Sequence, residues 1–301
     1  MREKLAFLFP AFVLKYTGKE YDLIAKKHDY DIDTRIADSG RLLGVDIEDF
    51  EIKENNYIDS ELENQLLSYI FSCSFSDIIH DKNIEADVVS GFSMGIYAAF
   101  YHAGVIDFNT GLFLIRDIYS KVHSILQNKK YSMASVVGFT RDDISNYIQA
   151  KESVEIVIQN GTYSFVISGL EQEVEQIMDV LQEEGAIYLS KFNLSSPYHA
   201  KILRNRQGEF EKIIAKYTFS DPKLPLISMI DHKSLQTASE LRQEIVRNVC
   251  QPLDFHNSIR NMNKQGIKHF VEVGADTSLL KSSKFIEGDF DFKAISKGKW
   301  L

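Results

Sequence analysis

The chain has 301 residues, 44% hydrophobic and 26% charged, the balance of an ordinary soluble globular protein able to bury one large core with or without a smaller insert. A net charge of −9, with no long basic run, argues against a nucleic-acid binder. The two cysteines, Cys73 and Cys250, lie far apart and in no C-x-x-C pattern; this implies neither a disulfide framework nor a metal site, and a reducing, cytoplasmic setting is expected.

The first stretch, "MREKLAFLFPAFVLKYTG", has the charged start and short apolar run of a secretory signal. It lacks a small-residue cleavage site, Pro10 interrupts it, and it is too short to span a bilayer. The reading adopted is a first buried strand, "KLAFLF", followed by a loop. Polar and charged sequence follows, with a helical stretch at "GKEYDLIAKK" and weak patterning near "DIEDFEIKENNYIDS". "ELENQLLSYIFSCSFSDIIHD" reads as a long apolar helix. "ADVVS" reads as a short buried strand and "MGIYAAFYHAG" as a helix closed by Gly104. In "NTGLFLIRDIYSKVHSILQ", Leu112, Ile115, Ile118, Tyr119, Val122, Ile125 and Leu126 form one stripe at helical spacing.

The rhythm changes between about 131 and 195. "YSMASVVGF" reads as a strand and "TRDDISNYIQAK" as a helix opened by Thr140. "VEIVIQN" and "SFVISG" read as strands joined through Asn160-Gly161. "EQEVEQIMDVLQEEG" is a helix closed by Gly185, and "AIYLSKFN" a last strand. This is β-α-β-β-α-β, the ferredoxin-like order. Helix and strand then alternate through "KILRNRQGEFEKIIAKY", "LPLISMI", "TASELRQEIVRNVC" and "HFVEVG". The fold expected is α/β: an α/β-hydrolase-like parallel-sheet domain in residues 1–129 and 196–301, interrupted by a ferredoxin-like subdomain in 130–195.

"VVSGFSMG" places Ser93 between Gly91 and Gly95 at the step from strand to helix. A nucleophile elbow needs this pattern, because the turn strains the serine backbone and flanking side chains would block close strand–helix packing. Such a serine needs a base and oxyanion donors. Of eight histidines, His102 lies nine positions on along the same helix, roughly 180° around and 13 Å away, out of reach. His28, His80, His123, His232, His256 and His269 lie in polar segments, on an exposed helix side or at element ends. His199, in the proline-bearing loop "LSSPYHAKIL" where the inserted segment returns, leads among them, since ligands and catalytic groups favour such junctions. The late "VEVGADTSLL" carries no histidine, which counts against a lipase or esterase plan.

The order of elements and a string of motifs resemble the malonyl-CoA:acyl-carrier-protein transacylase family, including the acyltransferases of polyketide synthesis. "LAFLFP" stands at the first strand and its glycine-glutamine loop, and Gln65 in "NQLLS" at the Q-P-A-L segment. "GFSMG" replaces the usual G-H-S-x-G. "SMASVVGF", "IQNGTYSFVISG", "SSPYHAKIL", "VCQPLDFHNSI" and "VEVGADTSLL" follow in order and spacing. The resemblance implies ping-pong transfer of an acyl group between thioesters of coenzyme A and of the phosphopantetheine on an acyl carrier protein, with no tightly bound cofactor and no metal. It implies Ser93 as nucleophile, His199 as base, the backbone carbonyl of Asn248 orienting His199, and the backbone N–H groups of Met94 and Phe12 as the oxyanion hole. A monomer, acting on neither nucleic acid nor membrane, is expected.

Several positions depart from that pattern. Ala11 and Phe12 replace Gly-Gln, Phe92 replaces the histidine beside the nucleophile, and Ile96 the acidic residue after the elbow. Without gaps from "VIDF", the arginine that would bind a malonyl carboxylate falls on Ile118. Arg116 lies about 120° around the helix from that stripe. A buried carboxylate without a charge partner is costly, so the resemblance combined with these departures implies a non-dicarboxylic acyl group, with Ile118 and Phe92 lining its pocket. Carrier proteins are typically acidic. Lys201, Arg204 and Arg206, with Lys191 before them, are the expected docking cations, although a solvated helix face accounts for them equally well. An acyl hydrolase that clears carrier proteins, and an inactive carrier-binding relative, are the alternatives.

Overall fold

The computed structural model describes residues 2–11, 16, 18–45, 47, 61–126, 129–192, 194–298 and 300. β1 (Lys4–Phe9) is followed by a short helix α1 (Lys19–Asp22) that runs into a π turn, then by α2 (Ile32–Leu43) and α3 (Glu61–Asp81). β2 (Val88–Gly91), α4 (Gly95–His102) and α5 (Phe108–Leu126) follow. Next come β3 (Tyr131–Val137), α6 (Arg141–Ile148), β4 (Glu155–Gly161), β5 (Ser164–Leu170), α7 (Glu171–Glu183) and β6 (Tyr188–Lys191). The remainder is α8 (Lys201–Arg204), α9 (Gln207–Ile214), β7 (Leu226–Ile227), β8 (Ser234–Leu235), α10 (Ala238–Cys250) and β9 (Leu253–Asp254). It ends with α11 (Phe255–Lys264), β10 (Ile267–Glu272), α12 (Ser278–Ser283) and β11 (Asp291–Ala294).

The first sheet has the order β11-β10-β1-β2-β7-β8 and is parallel except where β8 turns back on β7. Its central strand β1 reads Ala6-Phe7-Leu8-Phe9, all fully buried, as a parallel strand covered on both faces must be. Helix α3 is buried without a break from residue 64 to 76. Its serines remain tolerable there because they find partners: Ser74 Oγ donates to the Ile70 carbonyl at 2.9 Å, and Ser76 Oγ pairs with His102 Nδ1 at 2.8 Å. On α5 the buried positions Leu112, Ile115, Ile118, Val122 and Leu126 repeat at helical spacing.

The second sheet has the order β6-β3-β5-β4-β9. Its first four strands are antiparallel in the ferredoxin-like arrangement, with α6 and α7 supplying the helices. The fold is thus an α/β-hydrolase-like parallel sheet joined to a ferredoxin-like unit. Thr140 opens α6 with a full capping box to Asp143, and Gly185 follows α7 in the left-handed region at φ 89°. Two local expectations need correction. The β4–β5 turn falls on Thr162-Tyr163 rather than Asn160-Gly161: Gly161 stays in the strand opposite Ser164, behind a bulge, and neither turn residue needs positive φ. The stretch "KILRNRQGEFEK" is two helices, α8 and α9, because Arg206 breaks helical geometry at φ −116°, ψ 15°. The weakly patterned segment near 46–60 lies almost wholly outside the described residues.

Among the described residues no helix is long and apolar enough to cross a membrane.

Candidate active site

Strand β2 ends at Gly91, and within three residues the chain is turned into α4. Ser93 sits at the corner with φ 53°, in the left-handed region that a non-glycine residue adopts only under constraint. Phe92 N–H donates to the Phe9 carbonyl at 2.8 Å, fastening the turn to the end of β1. The two glycines are required by contact. A Cβ on Gly91 would lie 2.3 Å from Ile96 Cα, and one on Gly95 would lie 2.1 Å from the Phe9 carbonyl oxygen. The Met94 N–H at the head of α4 finds no acceptor among the described residues, leaving a donor beside Ser93 Oγ.

His199 reaches this serine from the loop before α8. Its backbone is also left-handed, at φ 66°, held by a 2.9 Å bond from its N–H to the Val249 carbonyl. Its Nε2 is 2.8 Å from Ser93 Oγ, and its Nδ1 is 2.6 Å from the backbone carbonyl of Asn248. A carbonyl can only accept, so Nδ1 carries the proton and Nε2 is left as the acceptor for the serine hydroxyl. Burial pushes the His199 pKa down to about 4 against the opposing pull of the carbonyl bonds, so the imidazole is neutral at pH 7. A hydroxyl on a strained elbow, a neutral base at hydrogen-bond distance and an oriented second nitrogen form the arrangement of an activated serine nucleophile.

Ser93 and His199 open onto a cavity of about 140 Å³ between the two sheets. Phe92, Met133, Ile158, Val166, Leu194 and Leu279 give it apolar walls, while Tyr198 and Asp276 contribute polar atoms. Phe92 lines this cavity. Ile118 does not: it is 2% exposed, packed in the hydrophobic core with the rest of the α5 stripe, and is not among the residues lining the cavity. The stripe that makes α5 amphipathic also carries residue 118 into the core. Phe12 lies outside the described residues. Arg116 is held by Asp117 at 2.8 Å and covers the Phe113 ring, and it too stands apart from the cavity lining.

The expected docking cations are largely neutralised within the chain. Lys191 pairs with Glu171 and Glu175, Arg204 with Glu155 at 2.8 Å, and Arg206 with Glu209 at 3.3 Å. Lys201 has no ion-pair partner among the described residues, and Lys201 and Arg206 are exposed. Gln65 donates to the Tyr198 hydroxyl at 3.0 Å and to Glu61, whose carboxylate also accepts from the Ser195 N–H. This strut holds the histidine loop against α3. Among the described residues no group of three or more His, Cys, Asp or Glu side chains is placed to hold a metal.

No profile of a known protein family matches the chain. Individual proteins do. The polyketide biosynthesis malonyl CoA-acyl carrier protein transacylase BaeC of Bacillus velezensis is 30% identical over 206 residues, covering 67% of this chain and 69% of its own length. The chain belongs to the malonyl-CoA:acyl-carrier-protein transacylase family. The corresponding PksC protein of Bacillus subtilis is 26% identical over 73% of this chain and 76% of its own. Among solved structures, the transacylase of Coxiella burnetii superposes with a TM-score of 0.87 at 21% identity, covering 98% of this chain and 95% of that one. A malonyl-transacylase solved in complex with its type II polyketide acyl carrier protein superposes at 0.83 with 21% identity, covering 97% and 94%. Membership makes the chain an acyltransferase of the transacylase type.

Three residues at this family site were not singled out from sequence. Tyr198 and Asp276 line the cavity. Glu272, fully buried, accepts from the Leu279 and Leu280 N–H groups and so fixes α12, which forms one cavity wall. Burial pushes its carboxyl pKa up to about 8. An available signal was position: Glu272 ends a parallel strand and Asp276 lies in the loop after it, where open α/β sheets hold their ligands.

Proposed function

We propose that this protein moves a non-dicarboxylic acyl group between coenzyme A and acyl-carrier-protein thioesters, in polyketide or fatty-acid synthesis, through an acyl-Ser93 intermediate. The observation that carries the reading is the Ser93–His199–Asn248 hydrogen-bond chain at the mouth of the apolar cavity. His199 Nε2 takes the Ser93 proton as Oγ attacks the thioester carbonyl. The resulting oxyanion accepts from the Met94 N–H, with the Phe12 N–H proposed as second donor. Collapse expels the coenzyme A thiol, which takes the proton back from His199. The phosphopantetheine thiol then repeats the sequence on the acyl-serine and restores the enzyme. Coenzyme A and phosphopantetheine thioesters are the substrates in this scheme.

The acyl group is where this chain is proposed to differ from relatives named for malonyl transfer. Among the described residues no lysine or arginine lines the cavity, and Arg116 is committed to Asp117. A carboxylate entering such a site would lose its hydration without gaining a cationic partner among the described residues. Lys201 and Arg206, exposed beyond the histidine loop, are proposed as the contact for the carrier protein. The test is intact-mass analysis after incubation with a panel of acyl-CoAs and acyl-carrier proteins. Acetyl or longer neutral groups should load in preference to malonyl and pass to a carrier protein. Efficient malonyl loading would overturn the acyl assignment, and release of free acid with no transfer would favour a hydrolase.

A further inference from the structure

Among the described residues, the apolar cavity beside Ser93 has one charged residue in its lining. Asp276 lies in the loop between β10 and α12 and is only partly exposed. Its Oδ1 accepts from the Thr277 N–H at 2.6 Å, and its own carbonyl accepts from Ser296 Oγ at 2.9 Å. No described residue donates to its Oδ2, and no lysine or arginine pairs with it among the described residues. Ser278 and Ser282 of α12 line the same cavity, as do Met133, Ile158, Asn160 and Val166 from the second sheet. Among the described residues the lining is therefore mainly apolar, with a few polar side chains and the Asp276 carboxylate as its one anion. Its volume of about 140 Å³ approaches that of the roughly 150 Å³ cavity known to take benzene, a guest of about six non-hydrogen atoms.

We propose that Asp276 is a specificity-determining residue, whose carboxylate rejects acyl groups ending in an anion and selects short ones that carry a hydrogen-bond donor, an ammonium before a hydroxyl. The proposal rests on the acyl-Ser93 reading above and adds the chemical class of the acyl group. An anionic terminus would meet the like charge of Asp276 across a largely apolar lining. A donor at the same place would complete the vacant acceptor of Asp276 and leave the carbon chain among the apolar lining residues. Charge-assisted bonds of this kind are the stronger ones, so the discrimination should reach about tenfold or more.

The test is a one-pot competition among coenzyme A thioesters of β-alanine, 3-hydroxypropanoate, butanoate and malonate, which are similar in size. Acylation of Ser93 is read by peptide mass spectrometry. Wild type should load β-alanyl and 3-hydroxypropanoyl above butanoyl, with malonyl last. Asp276→Asn keeps the side-chain size and the oxygen that accepts from Thr277. It should lower the β-alanyl to butanoyl ratio about tenfold and raise the malonyl to butanoyl ratio, with folding checked by thermal melt. The wild-type ranking stands as a test even if the variant fails to fold. Ratios unchanged in the variant, malonyl preferred by wild type, or butanoyl loading without preference for a donor would each overturn the role of Asp276 while leaving acyl transfer intact. Loading of none of the four on Ser93 would overturn both.

Discussion

Acidification should leave the acylation step untouched well below the pH at which an ordinary histidine base fails. His199 is 1% exposed, and burial lowers its pKa from 6.5 to about 4 despite the bond to the Asn248 carbonyl. With that value about 97% of the imidazole is still neutral at pH 5.5, whereas an unshifted histidine would be only about 9% neutral. The second-order rate of Ser93 acylation reports the free enzyme, so it should be flat from pH 8 to about 5 and fall with a midpoint near 4. The assay is quenched-flow loading at subsaturating acyl-CoA, read by intact mass, with circular dichroism at each pH. Stability imposes its own limit. His199 and His102, the latter pushed down to about 3 by burial, both have folded pKa values below the unfolded one. Their contribution is therefore complete above about 6.5 and is lost as pH falls through 6.5 toward 4 and 3, at about 1.4 kcal/mol per histidine per pH unit. At pH 5.5 that is about 3 kcal/mol for the two together, so the kinetic plateau is read where circular dichroism shows the folded state. A rate that drops about eightfold between pH 7 and 5.5, the fall an unshifted histidine would give, with the fold intact, would refute the buried neutral base.

His199→Ala should slow Ser93 acylation by about 10²–10⁴, the usual worth of a positioned base, without loss of the folded state in a thermal melt; wild-type loading in that variant would move the role elsewhere. Gly95→Ala forces a methyl into the Phe9 carbonyl and should cost about 1–3 kcal/mol or more in stability while suppressing loading, and an active, equally stable variant would contradict the tight elbow. Joint reversal of Lys201 and Arg206 to glutamate should lower transfer to a carrier protein several-fold and spare loading from acyl-CoA; equal loss in both half-reactions would remove the docking role.

Much of the site was legible because its elements have local signatures. The Gly91–Ser93–Gly95 spacing encodes the elbow directly, since a Cβ on either glycine would come within 3 Å of neighbouring backbone. The β-α-β-β-α-β rhythm from Tyr131 to Lys191 encodes the second unit, and Thr140 and Gly185 mark helix ends by side-chain and backbone chemistry. What local pattern does not encode is what faces a cavity. Ile118 has the periodicity of a core residue, and that periodicity placed it in the core rather than beside Ser93. Asp276 has no periodic signal, since its place in the cavity depends on how the loop after β10 meets strands from the other sheet. The two-residue strand β9 is likewise unreadable alone, because it exists only through its parallel pairing with β4. The basic run after His199 shows the same limit: sequence displays the cations, but their carboxylate partners Glu155 and Glu209 are set by the fold or by a helix break.

The central claim is that Ser93 carries the acyl group in transit. Wild-type protein incubated with a short neutral acyl-CoA, quenched in acid and digested, should yield one peptide heavier by the acyl mass, with the modification on Ser93. Adding a holo acyl carrier protein should discharge that peptide and move the same mass onto the carrier. An adduct mapped to another residue, or transfer to the carrier at full rate by Ser93→Ala, would contradict it.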